Sequence, residues 1–286
     1  MEIDFPPFVP PAEPQVMFPF FQPNGESFLT LLGRDDVLER INEILLPVPQ
    51  DRQMRPQKYW PIIISTSRGM GKTFLLKMVG MQKVKAELKN VWIEDAIQCG
   101  RVLSFDFAKE TINPAIETSE DINTFLASLM VYFLCLHFDG TQVDGINFEK
   151  IDFKNVVKFV GKQKKFNDWK SKYLQHGPDV MIEEYMRLTN IAFSVDPKTE
   201  MYNAPPVFLF DEVQSLTKPT GIQSKFLQNN PQFHTLLSLL LTALATKHYP
   251  VCICTGTSNG EIISITDNSV IIPQVLSLTP LVNDYR

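Results

Sequence analysis

PIIISTSRGMGKT, residues 61–73, predicts more of the architecture than any other segment of the chain. An apolar run stops abruptly, and small residues, a lysine and a hydroxyl follow it. This order is typical of a buried strand, a phosphate-binding loop and the first turn of a helix, where backbone N–H groups, the lysine and the hydroxyl face phosphates and Mg²⁺. The residues expected to contact a nucleotide are Ser67, Arg68, Gly69, Met70, Gly71, Lys72 and Thr73.

The loop departs at one position from the pattern G-x-x-x-x-G-K-[ST], because Thr66 stands where the first glycine is expected. A threonine there requires an ordinary negative φ angle. Gly69 and Gly71 remain where the backbone would pass closest to phosphates. The alternative, a glycine-rich turn before an unrelated amphipathic helix, is disfavoured because the strand–loop–helix context is also present.

A second stretch, VFLFDE at residues 207–212, has the composition of a buried strand that ends in two carboxylates. We expect Asp211 to hold Mg²⁺ together with Thr73, and Glu212 to polarise the water that attacks a γ-phosphate. Such a pair favours ATP hydrolysis over phosphoryl transfer to an acceptor. An acceptor brings its own nucleophile, so a kinase usually needs no base beside the metal ligand. The alternative is that both acidic residues belong to a polar turn after the strand.

The whole-chain composition is that of a globular protein with 286 residues, a net charge of −5, 44% hydrophobic residues and 21% charged residues. The acidic balance gives no overall footprint for nucleic acid. A stripe from Lys154 to Lys165 could face nucleic acid or an acidic partner, although a solvated helix face is the favoured interpretation. The acidic, proline-interrupted N-terminus and the short apolar runs predict no signal peptide, no membrane span and an intracellular location, in cytoplasm or nucleus.

Proline and apolar periodicity divide the chain into an arm and a domain. Residues 1–29 form a Pro/Phe-rich extended arm, since residues 1–24 hold seven of the 21 prolines. Residues 30–286 form the nucleotide-binding domain, with a helical insertion at about 140–204. The predicted helices are 37–45, 72–88, 121–138 and 232–247, and the predicted strands are 59–65, 101–107, 251–255 and 275–278, besides 207–210.

Five segments taken together resemble the AAA+/STAND division of P-loop ATPases, in its archaeal-ATPase-like branch. They are LGR (32–34), SRGMGKT (67–73), FDEVQ (210–214), CTGTS (254–258) and VLSLTPL (275–281). The phosphate loop and Walker B segment are also similar to the NTPase module of Crinkler-type effector proteins. The resemblance implies a three-layer α/β P-loop sandwich with a five-stranded parallel sheet, in which the sensor strand separates the phosphate strand from the Walker B strand.

The resemblance also implies roles for residues outside the two motifs. Gly33 and Arg34 would lie over the adenine, and Thr255 or Thr257 would sense the γ-phosphate. Thr257 is preferred because it is expected past the end of its strand. The sequence stops at Arg286, five residues after Leu281, so no helical lid subdomain is expected.

The leading functional interpretation is an ATPase core that binds ATP and Mg²⁺ and either hydrolyses ATP or acts as an ATP-gated switch for another activity. The competing interpretation is a nucleotide-binding interaction module, an effector or scaffold, that hydrolyses little or nothing. A small-molecule kinase is a third interpretation, which lacks a recognisable acceptor pocket. ATP is favoured over GTP because no N-K-x-D guanine-reading motif occurs. The partners expected besides ATP are another protein or a second copy of the chain.

Overall fold

Five parallel strands form one sheet in the part of the chain that the computed structural model describes. The described residues are 34–45, 60–81, 88–108, 119–137, 171, 175–216, 235–257 and 271–278. The strands are β1 (Ile62–Thr66), β2 (Val102–Asp106), β3 (Val207–Asp211), β4 (Val251–Thr257) and β5 (Gln274–Leu276). Their order across the sheet is β2-β3-β4-β1-β5, and every neighbouring pair is parallel. β4 therefore lies between β1 and β3, as the sequence predicted.

Helices lie between successive strands from β1 to β4, as parallel pairing requires. They are α2 (Lys72–Met81), α3 (Val91–Gln98), α4 (Ser119–His137), α5 (Pro178–Ala192) and α6 (Leu236–Leu244), and a further helix, α1 (Asp35–Leu45), precedes β1. Two 3₁₀ turns, Glu200–Asn203 and Val213–Leu216, flank β3. None of the helices described in these ranges is long and apolar enough to cross a membrane.

Helices cover both faces of the sheet, because successive strand residues point to opposite sides. Ile62 and Ile64 of β1 pack in a buried cluster with α1, α2 and α3. Ile63, between them, belongs to a second cluster with α4, α5 and α6. The central strands are apolar on both faces, which is usual where a parallel sheet is covered twice. The result is an α/β fold of three layers.

The helices differ from the sequence prediction in two places. α6 ends at Leu244, although a helix to residue 247 was expected. Residues 82–87 of the helix predicted at 72–88 lie outside the described residues, and α2 is described from Lys72 to Met81. α3 was not predicted at all. Its signal was a capping residue, since the Asn90 side chain accepts hydrogen bonds from the backbone N–H groups of Trp92 and Ile93, at 3.0 and 3.3 Å. The segment is short and apolar on several faces, so its periodicity was weak.

Several domain predictions lie partly or wholly outside the described residues. The arm at 1–29, the Lys154–Lys165 stripe and the segment after Leu278 all fall there. The described part of the predicted insertion, residues 175–204, is built into the main core. Met181, Ile182 and Tyr185 of α5 are fully buried against the α4–α6 side of the sheet.

Candidate functional site

Polar residues end four neighbouring strands at the carboxyl edge of the sheet. β1 ends at Thr66, β2 at Asp106, β3 at Asp211 and β4 at Thr257. The register places Asp106 beside Asp211 and Thr66 beside Thr257. Ligands of open α/β sheets bind outside this edge. The candidate site is built here.

The loop from Ser67 to Gly71 joins β1 to α2 with two residues in the left-handed region. Gly69 has φ +81° and Gly71 has φ +79°, so both positions favour glycine for their backbone conformation. Space does not require glycine there, since a Cβ at either position would meet nothing within 4 Å. The loop is exposed except at Met70, and the Gly71 carbonyl accepts the first hydrogen bond of α2, from Leu75, at 2.9 Å.

Lys72 lies inside this loop, with 5% of its surface exposed. Its Nζ donates to the carbonyl oxygens of Thr66, at 3.2 Å, and Ser67, at 3.0 Å. A buried ammonium needs such acceptors, because a charge removed from water without partners is costly. The loop thus holds a desolvated positive charge at the N-terminus of α2, where the helix dipole also favours an anion.

Thr66 has the ordinary backbone that the sequence predicted, since it is not among the described residues with positive φ. Its buried side chain has a contact that the motif gave no reason to expect. The Thr66 hydroxyl donates to the carbonyl oxygen of Leu278 at 3.2 Å. The first position of the phosphate-loop pattern is thereby tied to Leu278, two residues after β5.

Arg34, which precedes α1, also contacts the loop. Its guanidinium donates to the Met70 carbonyl oxygen at 2.8 Å, and the side chain is buried. The contact links the N-terminal segment of the resemblance directly to the phosphate loop. Gly33, predicted beside it, lies outside the described residues.

Asp211 is the centre of the polar contacts at the strand ends. The Thr73 hydroxyl donates to its Oδ2 at 2.5 Å, across 138 positions of sequence. The Thr255 hydroxyl and the Glu212 backbone N–H, the latter at 3.0 Å, donate to its Oδ1. The residue expected to hold a metal through its hydroxyl and the residue expected to hold it through a carboxylate are therefore in direct contact.

The electrostatics of Asp211 are those of a buried carboxylate. Burial is the largest influence and raises its pKa above the ordinary value, and hydrogen bonds from Thr255 and Thr73 act in the opposite direction. The negative charges of Asp106 and Glu212 raise the pKa further. A bound cation would offset both the cost of burying the Asp211 charge and its repulsion by Asp106 and Glu212, because an opposite charge favours the ionised form.

Asp106 is a site residue that sequence reasoning missed. It is buried, it accepts the Ala108 backbone N–H at 3.0 Å, and it is the register partner of Asp211. The available signal was an acidic residue at the end of an apolar strand. Only the pairing of β2 with β3 places that residue beside the predicted metal ligand.

Glu212 follows Asp211 in a left-handed conformation, with φ +57°. Its carboxylate accepts a hydrogen bond from the Gln214 side-chain amide, and the Gln214 Oε1 accepts the Thr257 backbone N–H at 3.1 Å. Thr257 is the last residue of β4, so the reason given for preferring it as sensor, a position past the strand end, is wrong. Thr255 is the threonine whose hydroxyl contacts Asp211.

The donor set fits a magnesium ion held jointly with phosphates. Mg²⁺ is usually bound by one or two protein oxygens together with substrate phosphates and water. The Thr73 hydroxyl donates a hydrogen bond to Asp211, so its oxygen still has a lone pair that can coordinate a cation. No group of three or more His, Cys, Asp or Glu side chains that could hold a metal by itself occurs in the described ranges, at this edge or elsewhere.

The structure brings Lys72, Thr73, Asp211, Glu212 and Thr257 to one edge of the sheet, together with the loop 67–71. Two motifs that are separated by more than a hundred positions predicted these residues except Thr257, which was expected from the resemblance. Comparisons of the chain with protein-family models, with curated proteins and with solved structures found no match, so the case for the site depends on these contacts.

Proposed function

We propose that the chain binds ATP with Mg²⁺ at the carboxyl edge of the sheet and hydrolyses it, as an ATPase or an ATP-driven switch. The observation that carries the proposal is the contact between the Thr73 hydroxyl, at the start of α2, and the Asp211 carboxylate, at the end of β3. A P-loop sandwich related to the AAA+/STAND division is part of the same proposal. The position of β4 between β1 and β3 supports it.

Binding would use the loop and the two residues that follow it. Lys72 offers the terminal phosphates a positive charge that is already buried, so little water has to be removed from it on binding. The backbone N–H groups of Gly69, Met70 and Gly71 are available because the loop turns through two left-handed glycines. Thr73 and Asp211 would hold Mg²⁺, which neutralises phosphate charge when bound.

Hydrolysis would use Glu212 as the general base. Its carboxylate takes a proton from the attacking water while the water oxygen bonds to the γ-phosphorus, and the bond to the β–γ bridging oxygen breaks to leave ADP. Arg34 would act indirectly, through its hydrogen bond to the Met70 carbonyl, by fixing the loop. An intracellular location and a protein partner, or a second copy of the chain, belong to this proposal as the setting in which a switch would act.

A nucleotide-binding interaction module without hydrolysis remains the second candidate function. The observation that favours it is that Lys72 is held by the Thr66 and Ser67 carbonyls without any contact from Glu212, so the binding residues are ordered independently of the base. The two functions share every binding residue and differ only in the role of Glu212. They are therefore separated by the effect of Glu212 on turnover, and a kinase would be revealed by transfer to an added acceptor.

Titration calorimetry with ATP and Mg²⁺ tests binding. Lys72→Ala should weaken affinity by about 10- to 150-fold, because a charge-assisted hydrogen bond contributes about 1.5–3 kcal/mol. Lys198→Ala is the matched control, since Lys198 is exposed near the opposite edge of the sheet. Equal affinity in the Lys72→Ala and wild-type chains would remove the site assignment. Competition between GTP and ATP measures the preference of the site for adenine over guanine.

Release of labelled phosphate from ATP tests hydrolysis. Glu212→Gln should keep ATP affinity and lower turnover by about 10²- to 10⁴-fold, the usual contribution of a general base. Retention of label on the wild-type chain without release would favour the interaction module. Unchanged turnover in the variant would show that Glu212 is only a turn residue.

A further inference from the structure

Gln214 connects the proposed base to the strand beside the phosphate loop. Its side chain is half-buried in the 3₁₀ turn Val213–Leu216. The amide nitrogen donates to Glu212 Oε2, and the amide oxygen accepts the Thr257 N–H at 3.1 Å. Thr257 in turn is the register partner of Thr66, at the beginning of the loop. A single side chain therefore spans from the base to the strand that borders the loop.

The direction of this bridge is determined by its chemistry. A backbone N–H can only donate, so the Gln214 oxygen must face Thr257. The nitrogen must then face Glu212, where it donates to one carboxylate oxygen. A carboxylate held through one oxygen can still accept a proton at the other. The bridge thus orients the base without using up its capacity as a base.

The Glu212 backbone is also held in an uncommon conformation. A non-glycine residue in the left-handed region is strained, and such strain is found where surrounding contacts over-determine it. The Glu212 carbonyl accepts hydrogen bonds from the Ser215 N–H and hydroxyl, at 3.3 and 3.1 Å. The turn fixes the peptide, and Gln214 fixes the carboxylate.

We propose that Gln214 is a positioning residue for ATP hydrolysis, which holds the Glu212 carboxylate in register with the end of β4. The inference depends on the proposed function, since it needs Glu212 to act as a base. The bonds of Gln214 to Glu212 and to the Thr257 N–H connect it to the proposed base, so its effect is expected on the chemical step, while binding depends on Lys72, Thr73 and Asp211.

Steady-state kinetics of Gln214→Ala tests the role. Turnover should fall by about 10- to 100-fold, because a displacement of about 1 Å of a catalytic group can cost 10²-fold, while KM and ATP affinity change by less than about twofold. Gln98→Ala, at the exposed end of α3, is the matched control and should match the wild-type chain. Thermal unfolding of each variant establishes that it is folded.

Gln214→Glu adds a readout that a merely structural residue would not change. The new carboxylate can still accept the Thr257 N–H, but it faces Glu212 with a second negative charge and no donor. Turnover should therefore fall at least as far as in Gln214→Ala, although the bond to the Thr257 N–H at the end of β4 is kept.

The outcomes separate this role from the proposed function. Unchanged or increased turnover in Gln214→Ala, or a loss of ATP affinity equal to the loss of turnover, would overturn the role while hydrolysis stands. Wild-type turnover in Gln214→Glu would overturn it as well. A wild-type chain that binds ATP without hydrolysing it would overturn hydrolysis, and this role with it. A chain that does not bind ATP would overturn the site as a whole.

Discussion

Thr66 shows how one residue that departs from a motif can acquire another function in the fold. Glycine at this position would leave the Leu278 carbonyl without the hydroxyl that now donates to it at 3.2 Å. A buried carbonyl without a donor costs about 1–3 kcal/mol. The threonine restricts the backbone at the start of the loop, and its hydroxyl adds a hydrogen bond between β1 and the segment after β5.

Thr66→Val should lower the free energy of unfolding by about 1–2 kcal/mol, because valine has the same shape but cannot donate to Leu278. Urea denaturation followed by circular dichroism measures the change. Thr66→Ser is the control, since it keeps the hydroxyl and should lose less. If the valine variant were as stable as wild type, the Thr66–Leu278 bond would contribute nothing to the fold.

At the scale of elements, Arg101 joins the amino-terminal edge of the sheet to α5. The side chain is fully buried just before β2. It donates to Thr189 Oγ1 at 2.7 Å, to Asn190 Oδ1 at 2.5 Å, and to the carbonyl oxygens of Met186 and Ala204 at 2.9 and 2.6 Å. A lone arginine before a strand gives no such signal in sequence, because its acceptors lie about a hundred positions away.

Arg101→Met should destabilise the chain by at least about 3 kcal/mol, because it leaves several buried acceptors without donors, each worth about 1–3 kcal/mol. Chemical denaturation measures the loss. Arg187→Met is the matched control on α5, where the arginine is half exposed and pairs with Glu184 at 2.6 Å. An exposed pair of this kind contributes about 0–1 kcal/mol. Similar losses in the two variants would contradict the structural role of Arg101.

His248 lies in the contact between α5 and the turn after α6. The Lys247 N–H and Nζ donate to Asp179 and Glu183 of α5, each at 2.7 Å. Burial lowers the pKa of His248 below its ordinary value of 6.5, and the charge of Lys247 lowers it further. Glu183 and Asp179 act in the opposite direction without reversing the shift.

Stability should therefore fall as the pH is lowered through the ordinary histidine pKa of 6.5. The folded pKa is the lower one, so the unfolded chain binds more protons in this range and protonation favours unfolding. Denaturation midpoints between pH 8 and 5.5 test this, a window above the one in which the lowered pKa of Glu183 acts. His248→Gln should show a smaller pH dependence than wild type, and an equal dependence would exclude His248 as its source.

At the scale of the molecule, the two motifs predicted which residues meet at the carboxyl edge of the sheet better than they predicted the contacts among those residues. Lys72, Thr73 and Asp211 belong to two short patterns whose spacing reflects a strand, a loop and a helix. Asp106 gave no comparable signal, and Gln214 was noted only as the last residue of the FDEVQ segment, with no role of its own. Asp106 matters through the β2–β3 register and Gln214 through its reach to β4, and both relations exist only once the strands are paired.

The same dispersal of the site over β1, α2, β3 and β4 predicts how nucleotide should affect the whole domain. Unfolding must separate these elements and release the ligand, so ATP with Mg²⁺ at a hundred times its Kd should add about 2.7 kcal/mol to stability. For a domain of this size, the melting temperature should then rise by about 5–10 °C. Differential scanning fluorimetry with ATP–Mg²⁺, and with ATP plus EDTA, measures the rise.

Removal of the metal should reduce this rise, because Thr73 and Asp211 would lose the cation that joins them to the phosphates. Lys72→Ala should show a smaller rise than wild type at the same ATP concentration, while Lys198→Ala keeps the full rise. An identical rise with and without EDTA would mean that the contact between Thr73 and Asp211 is a structural bond between α2 and β3. In that case the nucleotide would be held by the loop alone, and the case for metal-assisted hydrolysis at this edge would fail.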